Sequence, residues 1–225
     1  MDMDLHPALR QSLFIAGTDT EVGKTTVATA LLRALVRSGL RAAGMKPVAA
    51  GAEMTSHGWR NDDALDLAAA GNVAVPYEDL NPYCLQTPTA PHLAARDEGI
   101  SIEIPAIVSA FQRIRARTDL VVVEGAGGWL APIRPASGGA PQTMQEVAVA
   151  LGLPVVLVVG MRLGCLNHAL LTAAAVQRSG LPLAGWIANP IDTHFSGADR
   201  YVDELADQLV VPLLWRAPRV ILPGQ

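Results

Sequence analysis

The chain has 225 residues, half of them hydrophobic, which is ample for burying a sizeable core. Its formal net charge of −4 excludes the broad basic surface of a nucleic-acid-binding protein. No apolar run approaches the ~18 residues that a membrane span needs, and the acidic N-terminus lacks the apolar core of a secretory signal. We therefore expect a soluble, cytoplasmic protein that has no nucleic-acid or membrane partner.

The first half of the chain alternates predicted strands with predicted helices. A strand near Ser12–Ala16 leads into a glycine-rich turn, and apolar residues at helical spacing predict a helix from Lys24 to about Ser38. The next segments in chain order are a strand at Arg41–Val48, a loop at Gly51–Trp59, a helix from Asn61 or Asp62 to Ala70, an irregular connection with room for a short strand at Pro76–Pro91, and a helix whose apolar stripe runs from Ile104 to Ile114.

The second half continues this alternation. Leu120–Val123 is a continuous apolar run, typical of a parallel strand that is buried on both faces. The later segments are a loop to Gln142, a helix opened by a capping-box pattern at Thr143–Glu146, a strand at Pro154–Val159, a helix from about Gly164 to Ser179, a strand at Leu183–Ala188, a helix at Ser196–Leu209 and a strand at Val211–Leu214. The pattern predicts an α/β fold with a single doubly wound, mainly parallel sheet flanked by helices. We expect one domain over residues 1–225, with 1–11 as a short extension.

The glycine-rich turn at Gly17–Thr26 reads Gly-Thr-Asp-Thr-Glu-Val-Gly-Lys-Thr-Thr. In a strand, turn and helix of this kind, backbone N–H groups and the helix dipole converge on a phosphate. Gly23 lets the backbone approach, Lys24 reaches the terminal phosphates, and the hydroxyl of Thr25 can bind magnesium. Five residues rather than the usual four separate Gly17 from the Gly-Lys-Thr sequence. The stretch predicts a nucleotide phosphate site of the P-loop NTPase type.

Polar motifs follow the carboxyl ends of several predicted strands, where ligands collect in doubly wound folds. They are the glycine-rich turn, Lys46, Glu124–Gly128, Gly160–Asn167 and Asn189. One polar residue at a strand end carries little information. Because the carboxyl ends of parallel strands lie at one edge of the sheet, the motifs together predict a shared site.

Residue type and position leave several roles open. Glu124 ends an apolar strand, as the second acidic element of phosphate-loop enzymes does, and the glycines after it favour that role over a strand end without function. Lys46 lies between a predicted strand and a proline, and this position fits either a functional lysine or an ordinary surface lysine. Asp63 fits either a functional role or that of a charge partner of its helix N-terminus. Gly164–Asn167 fits either a carboxylate-binding helix start or an ordinary cap.

Together these motifs resemble those of the dethiobiotin synthetases. The blocks that carry the resemblance are Gly17–Thr25 with its extra residue, Lys46–Val48, Arg60–Asp63, Asn81–Tyr83, Val123–Gly128, Leu163–His168 and Ala184–Asn189. They occur in the family's order and cover the chain from about Leu13 to Pro218. The phosphate loop and the block around Glu124 are the most specific of them.

The resemblance implies an ATP-dependent carboxylation and ring closure of 7,8-diaminononanoate with carbon dioxide, which gives dethiobiotin in biotin biosynthesis. A carbamate would be phosphorylated by ATP, and the neighbouring amine would attack the carbamic-phosphoric anhydride. Since carbamate and γ-phosphate are both anions, such a site must concentrate positive charge. ATP and Mg²⁺ are the implied cofactors, and a homodimer with its active site at the subunit interface is the implied assembly.

The resemblance also implies roles for individual residues. The implied catalytic residues are Lys46, Lys24 and Thr20, and the implied magnesium ligands are Thr25, Asp63 and Glu124. The implied ATP contacts are Glu21, Val22, Gly23, Lys24, Thr25, Thr26, Asp63, Glu124, Gly125, Ala126, Gly127, Asn189, Pro190, Pro218, Arg219 and Val220. The implied substrate contacts are Thr20, Lys46, Ala50 and, from the partner subunit, the segment formed by Gly164, Cys165, Leu166 and Asn167.

Two positions depart from the family's pattern. Ala50 stands where a serine that touches the substrate is usual, which puts one substrate hydrogen bond in doubt but not the reaction type. Arg219 replaces a more usual tryptophan near the C-terminus, so the nucleotide selectivity that residues Pro218–Val220 provide stays open.

Two other functions remain as alternatives. A phosphate-loop ATPase switch of the partitioning or metallocluster-loading kind would share the fold. Such switches carry a second lysine early in the loop, where this chain has Asp19, and this difference argues against that function. A non-catalytic nucleotide-binding module is the other alternative, and the presence of Lys24, Thr25, Lys46 and Glu124 together argues against it.

Overall fold

The structure, a computed structural model, describes residues 5–134 and 141–218. Its α-helices are α1 Lys24–Arg37, α2 Asp62–Ala70, α3 Tyr77–Leu80, α4 Pro91–Asp97, α5 Ile104–Arg115, α6 Met144–Leu151, α7 Cys165–Arg178 and α8 Ala198–Gln208. Its strands are β1 Leu13–Gly17, β2 Ala42–Met45, β3 Val48–Ala50, β4 Glu53–Thr55, β5 Gly58–Arg60, β6 Tyr83–Leu85, β7 Leu120–Glu124, β8 Pro132–Arg134, β9 Gln142–Thr143, β10 Val155–Met161, β11 Leu183–Pro190 and β12 Leu213–Arg216. Within these two ranges, every helix is too short or too polar to cross a membrane.

A six-stranded sheet lies at the centre of the molecule, in the order β12-β11-β10-β1-β7-β2, and neighbouring strands are parallel throughout. All residues of β7 and β10 are buried, because helices cover both faces of the sheet. On one face Leu31 of α1 packs in the same core cluster as Ile15 of β1. On the other face Ile107 of α5 shares a cluster with Phe14 of β1. The predicted doubly wound, mainly parallel sheet is confirmed.

Helix α1 places the phosphate loop on the sheet. Val27, Leu31 and Leu35 are fully buried, whereas Arg33 on the opposite side is exposed. Burying each of these large apolar side chains contributes about 1.5–3 kcal/mol to the helix–sheet contact. Gly39 adopts the left-handed conformation expected after a helix C-terminus, with φ of 88°. The N-terminus of α1 is therefore fixed at the carboxyl edge of β1.

The single strand predicted at Arg41–Val48 is wrong, because it is divided into β2 and β3, which belong to different sheets. Pro47 has no N–H to continue a ladder. The N–H of Lys46 donates instead to the carbonyl of Leu80 at 2.8 Å. The chain therefore leaves the central sheet at Lys46, at the edge where the phosphate loop also lies.

Three segments predicted to lack regular structure contain some, and one of them, the predicted loop to Gln142, includes β8 and the start of β9. The predicted loop at Gly51–Trp59 includes the hairpin β4–β5, which has no buried face and therefore no alternation of apolar residues. The predicted irregular connection at Pro76–Pro91 contains the short helix α3 as well as β6. Helix α4 was also missed, although its first residue is Pro91, and proline is favoured at that position of a helix.

Candidate active site

The phosphate loop is a tight turn between β1 and α1. Glu21 and Gly23 both have left-handed backbone conformations, with φ of 58° and 82°. For Glu21 this conformation is strained, and such strain is concentrated at ligand-binding turns. The ammonium group of Lys24 donates to the carbonyl oxygen of Asp19 at 2.8 Å, so it closes over the loop. The backbone thus encloses a space at the helix N-terminus of the size and polarity that a phosphate needs.

Four predicted site residues from distant parts of the chain meet beside this loop. Lys46 Nζ lies 2.6 Å from Oε1 of Glu124 and 2.7 Å from Oδ2 of Asp63. Thr25 at the start of α1 donates its hydroxyl to Oε1 of Glu124 at 2.8 Å. Strand β2 delivers Lys46, strand β7 delivers Glu124, and helix α2 delivers Asp63. The arrangement therefore places a cation between two carboxylates, next to a helix N-terminus.

The pKa values of the two lysines of the site are shifted in opposite directions. Burial, together with the charge of Lys46, lowers the pKa of Lys24 to about 8. Burial opposes the charged form of Lys46 as well, but the carboxylates of Glu124 and Asp63 outweigh it and raise the pKa of Lys46. Lys46 is thus a fixed cation. Lys24 carries a charge that an anion bound in the loop would stabilise.

The two carboxylates also differ. Glu124 is fully buried, and burial raises its pKa even though Lys46 and Thr25 both donate to Oε1. Its second oxygen, Oε2, is buried without a hydrogen-bond partner among the described residues. Asp63 is partly exposed, and although burial acts to raise its pKa, the contact with Lys46 lowers it overall. An ordered water or a cation is the usual partner of an oxygen such as Oε2.

A magnesium ion would suit the donors at this place. Magnesium prefers hard oxygen ligands, and in nucleotide sites it usually takes one or two carboxylates together with phosphate oxygens and water. Thr25, Asp63 and Glu124 offer such oxygens, and Oε2 of Glu124 is available. In the described ranges no cluster of three or more His, Cys, Asp or Glu side chains could hold a metal ion. The protein alone therefore offers a partial coordination shell, which a nucleotide would complete.

These residues lie on the floor of a cleft of about 1030 Å³. The predicted site residues that line it are Thr20, Glu21, Gly23, Lys24, Thr25, Thr26, Lys46, Ala50, Asp63, Glu124, Ala126 and Gly127. Gly128 of the predicted Glu124–Gly128 motif and Asn61 of the Arg60–Asp63 block also line it. Lining residues that the sequence analysis did not single out are Thr29, Arg33, Ala49, Asp66, Pro88, Thr89, Ala90, Pro91, Ala131 and Pro132. Of these, the run Pro88–Pro91 could have been noticed in the sequence, because it ends at Pro91 and proline is favoured as the first residue of a helix.

Other predicted ATP contacts lie outside this lining. Val22 is buried beneath the loop, and its carbonyl accepts a hydrogen bond from Nδ2 of Asn189 at 2.9 Å. A side chain on Gly23 would collide with the same amide, at 2.0 Å. Gly125 is buried against the ring of Phe14. Asn189 thus braces the phosphate loop from β11.

The remaining predicted ATP contacts follow strands at that side of the sheet. Pro190 ends β11, and Pro218 is exposed just after β12. Arg219 and Val220 lie outside the described residues.

The predicted carboxylate-binding segment begins α7 and does not line the cleft. Gly164 and Asn167 are exposed there, Leu166 is partly buried and Cys165 is buried. An ion pair between Arg162 and Asp19, at 2.5 Å, connects the turn before this helix to the phosphate loop. Within one chain the segment is therefore linked to the loop but does not line its cleft.

Comparison with known proteins places the chain in a family. The sequence pattern of a family described as an AAA domain matches residues 11–220. The ATP-dependent dethiobiotin synthetase BioD of Aromatoleum aromaticum is 51% identical over 207 residues, which cover 92% of this chain and 90% of that protein. The chain belongs to the dethiobiotin synthetase family. A second dethiobiotin synthetase, from Xanthomonas axonopodis pv. citri, is 48% identical over 95% of this chain and 91% of its own length.

Among solved structures, this dethiobiotin synthetase family member is similar to the septum site-determining protein MinD from Pyrococcus horikoshii, which was determined with Mg-ADP. The TM-score is 0.55 at 15% sequence identity, and the match covers 92% of this chain and 81% of that one. At this identity the likeness concerns the fold alone, and it agrees with the P-loop NTPase architecture predicted for the chain.

Proposed function

We propose that this chain catalyses the ATP-dependent ring closure of 7,8-diaminononanoate with carbon dioxide to dethiobiotin. One observation supports this most directly: Lys46, Asp63, Glu124 and Thr25 converge next to the phosphate loop at the floor of one open cleft. The cleft can take two anionic reactants side by side, and membership of the dethiobiotin synthetase family supplies the reaction.

The chemistry proceeds in three balanced steps. An amine nitrogen attacks carbon dioxide and loses a proton, which leaves a carbamate anion. A carbamate oxygen then attacks the γ-phosphorus of ATP, and the bond between γ-phosphorus and the bridging oxygen breaks to release ADP. The second amine finally attacks the carbonyl carbon, the C–O bond to phosphate breaks, and the ureido ring is closed with loss of a proton. None of these steps requires a covalent bond to the protein, so positioning and charge stabilisation are the protein's tasks.

Lys46 and Lys24 take the positions that this chemistry needs. We assign to Lys46 the binding of the carbamate and of the transferring phosphoryl group, because its ammonium group lies at the cleft floor beside the proposed metal ligands. Lys24 closes over the terminal phosphates and exchanges its contact with the carbonyl of Asp19 for phosphate oxygens. Thr20, exposed at the tip of the loop, faces the substrate side of the cleft. Bound Mg²⁺ would neutralise the phosphates, with Thr25, Asp63 and Glu124 as its protein ligands.

The nucleotide base and the substrate carboxylate are assigned to regions beyond the cleft floor. Asn189 and Pro190, with Pro218–Val220, are proposed to contact the adenine, since β11 brings Asn189 against the phosphate loop. In a homodimer, the start of α7, Gly164–Asn167, is proposed to bind the carboxylate of the substrate that lies in the cleft of the partner subunit. A helix N-terminus suits an anion, and the exposed position of Gly164 and Asn167 suits an interface.

The proposal is tested by supplying the purified protein with the diamine, ¹³C-bicarbonate and MgATP. The expected result is dethiobiotin carrying one ¹³C atom, with one ADP formed for each product molecule. Omission of the diamine or of ATP is the control and should abolish the product. ATP hydrolysis without labelled product, stimulated by a protein or DNA partner, would contradict the proposal and favour the ATPase switch.

A further inference from the structure

A partly buried hydrogen-bond network joins Lys46 to the helix that carries Asp63 through two residues, Tyr77 and Asn81, that do not line the cleft. Asn81, which is 2% exposed, donates from Nδ2 to the backbone carbonyl of Lys46 at 2.7 Å. The hydroxyl of Tyr77 donates to Oδ1 of Asn81 at 3.1 Å. The same hydroxyl accepts the backbone N–H of Asn61 at 2.8 Å. One tyrosine hydroxyl therefore connects the two sides of the ion pair between Lys46 and Asp63.

Each end of this network fixes a backbone position rather than a side chain. Asn61 is the N-cap of α2, and its Oδ1 accepts the N–H of Ala64, so its place determines where α2 begins and where its second residue, Asp63, lies. Lys46 is held at its carbonyl by Asn81 and at its N–H by the carbonyl of Leu80. The segment 77–81 therefore holds the backbone of Lys46, which carries the ammonium group, and the start of α2, which carries the carboxylate of Asp63.

We propose that Tyr77 and Asn81 are positioning residues for the proposed reaction, and the inference rests on that function. They set the separation of Lys46 Nζ and Asp63 Oδ2, which is 2.7 Å. Neither residue lines the cleft, so neither touches the reactants. Hydrogen-bond networks of this kind specify geometry more than they add stability. Catalysis that depends on positioning is sensitive to displacements of about 1 Å.

The surroundings of Tyr77 keep its hydroxyl in this role. The guanidinium of Arg60 stacks on the ring, with 4.0 Å between its central carbon and the ring centroid. Burial, with the adjacent thiol of Cys84, raises the pKa of Tyr77 above its usual range, so the group remains a donor. Replacement by phenylalanine keeps the ring and the cation–π contact and removes only the hydroxyl. Tyr77→Phe is therefore a narrow test of the network.

The matched control is Tyr83→Phe. The hydroxyl of Tyr83 accepts the N–H of Glu103 at 2.8 Å, and Glu103 is the N-cap of α5. Both variants thus lose a tyrosine hydroxyl that bonds the first backbone group of a helix, but the Tyr83 hydroxyl has no bond to Lys46, Asn81 or Asn61. Thermal unfolding of both variants gives the loss of stability, against which activity is compared.

We expect Tyr77→Phe to lower kcat for dethiobiotin formation by about tenfold or more and to leave KM for ATP within about twofold. Tyr83→Phe should keep kcat within about twofold of the wild type. In an Asp63→Asn background, where the positioned carboxylate is absent, Tyr77→Phe should change kcat by less than about twofold. Product formation by the wild type tests the proposed function separately, so the ratios between variants decide the positioning role.

Two results would overturn the inference: an unchanged kcat in Tyr77→Phe, or equal losses of kcat in the two tyrosine variants. Equal losses would mean that a general destabilisation explains both. If Tyr77→Phe does not fold, Asn81→Ser takes its place, since it removes the amide donor to Lys46 and leaves the tyrosine intact. The same expected values then apply to Asn81→Ser, and a kcat equal to that of the wild type would contradict the role of the network.

Discussion

At the scale of single residues, the site is organised by the charge balance around Lys46. Two carboxylates within 2.7 Å hold its ammonium group in a buried place where a lone cation would be unstable. When anionic reactants enter, the lysine can exchange part of this contact for oxygens of the carbamate and phosphate. Magnesium would at the same time take over the carboxylates and offset part of the negative charge that the reactants bring.

The first prediction concerns Lys46→Gln. The substitution removes a charge that is needed mainly in the transition state, so kcat should fall by roughly a hundredfold or more while KM for ATP changes little. Steady-state kinetics of dethiobiotin formation with ATP titrations measure both values. The Arg33→Gln variant, which removes an exposed cation of the same cleft, is the control and should keep most of its activity. Near wild-type turnover in Lys46→Gln would remove Lys46 from the mechanism.

The second prediction concerns the stability of the nucleotide-free protein. The folded pKa of Lys24, about 8, lies below the 10.5 of the unfolded chain, so the buried charge destabilises the fold below pH 8. Lys24→Met keeps the apolar stem, and at pH 7 it should raise the free energy of unfolding by up to about 3 kcal/mol. The advantage should shrink as pH rises from 8 to 10.5, where the wild-type lysine becomes neutral in both states.

Thermal or denaturant unfolding at pH 7 and pH 10 measures this effect. Lys46→Met provides the contrast, because it leaves the buried Glu124 carboxylate without its cation and should lower stability at pH 7. A Lys24→Met variant that is less stable than the wild type at pH 7 would contradict the prediction. The same variant should also lose nucleotide binding. The charge of Lys24 would then lower the stability of the nucleotide-free protein and also bind the phosphates.

At the scale of elements, the start of α6 is secured by a capping box. Thr143 Oγ1 accepts the N–H of Gln145 at 3.2 Å, and the carboxylate of Glu146 accepts the N–H of Thr143 at 2.6 Å. Thr143→Ala should therefore lower the free energy of unfolding by about 1 kcal/mol. Ser109→Ala, at an exposed position inside α5, is the control and should change it little. Equal effects of the two substitutions, measured by urea unfolding, would show that the cap is not the cause.

Elements could be predicted from the sequence where burial leaves a pattern. The all-apolar run of β7 and the threonine and glutamate three residues apart at α6 gave correct elements, because each has a local physical cause. The hairpin β4–β5 is exposed and leaves no such pattern.

The candidate site follows the same rule. Lys46 and Glu124 could be expected to meet, since both follow parallel strands. The hydrogen bonds of Tyr77 and Asn81 could not be predicted, because contacts between short segments joined by loops leave no periodic pattern in the sequence.

At the scale of the whole molecule, the exposed face of α7 carries the proposed subunit contact. Leu163 and Leu171 are 77% and 61% exposed, and Asn167 lies between them on the outer surface. If the proposed homodimer forms through this face, Leu171→Glu should place charges against each other across its isologous interface and give a monomer. Light scattering during gel filtration measures the mass.

The control is Val210→Glu, which adds the same charge at a position that is 94% exposed elsewhere. This variant should remain dimeric and active. The Leu171→Glu monomer should still bind ATP but lose product formation, because the substrate carboxylate would have no partner helix. A dimeric and fully active Leu171→Glu variant would mean that the contact lies on another surface.

The order of strands in the central sheet has a consequence for biosynthesis. Strand β1 leaves the ribosome well before its neighbours β7 and β10, which end at Glu124 and Met161. A growing polypeptide therefore contains the phosphate loop long before it contains β7 and β10, the strands that flank β1, since such distant pairings form late. We expect nascent chains stalled before β10 to be unable to retain ATP, and retention by such a chain would show that the loop can fold unaided.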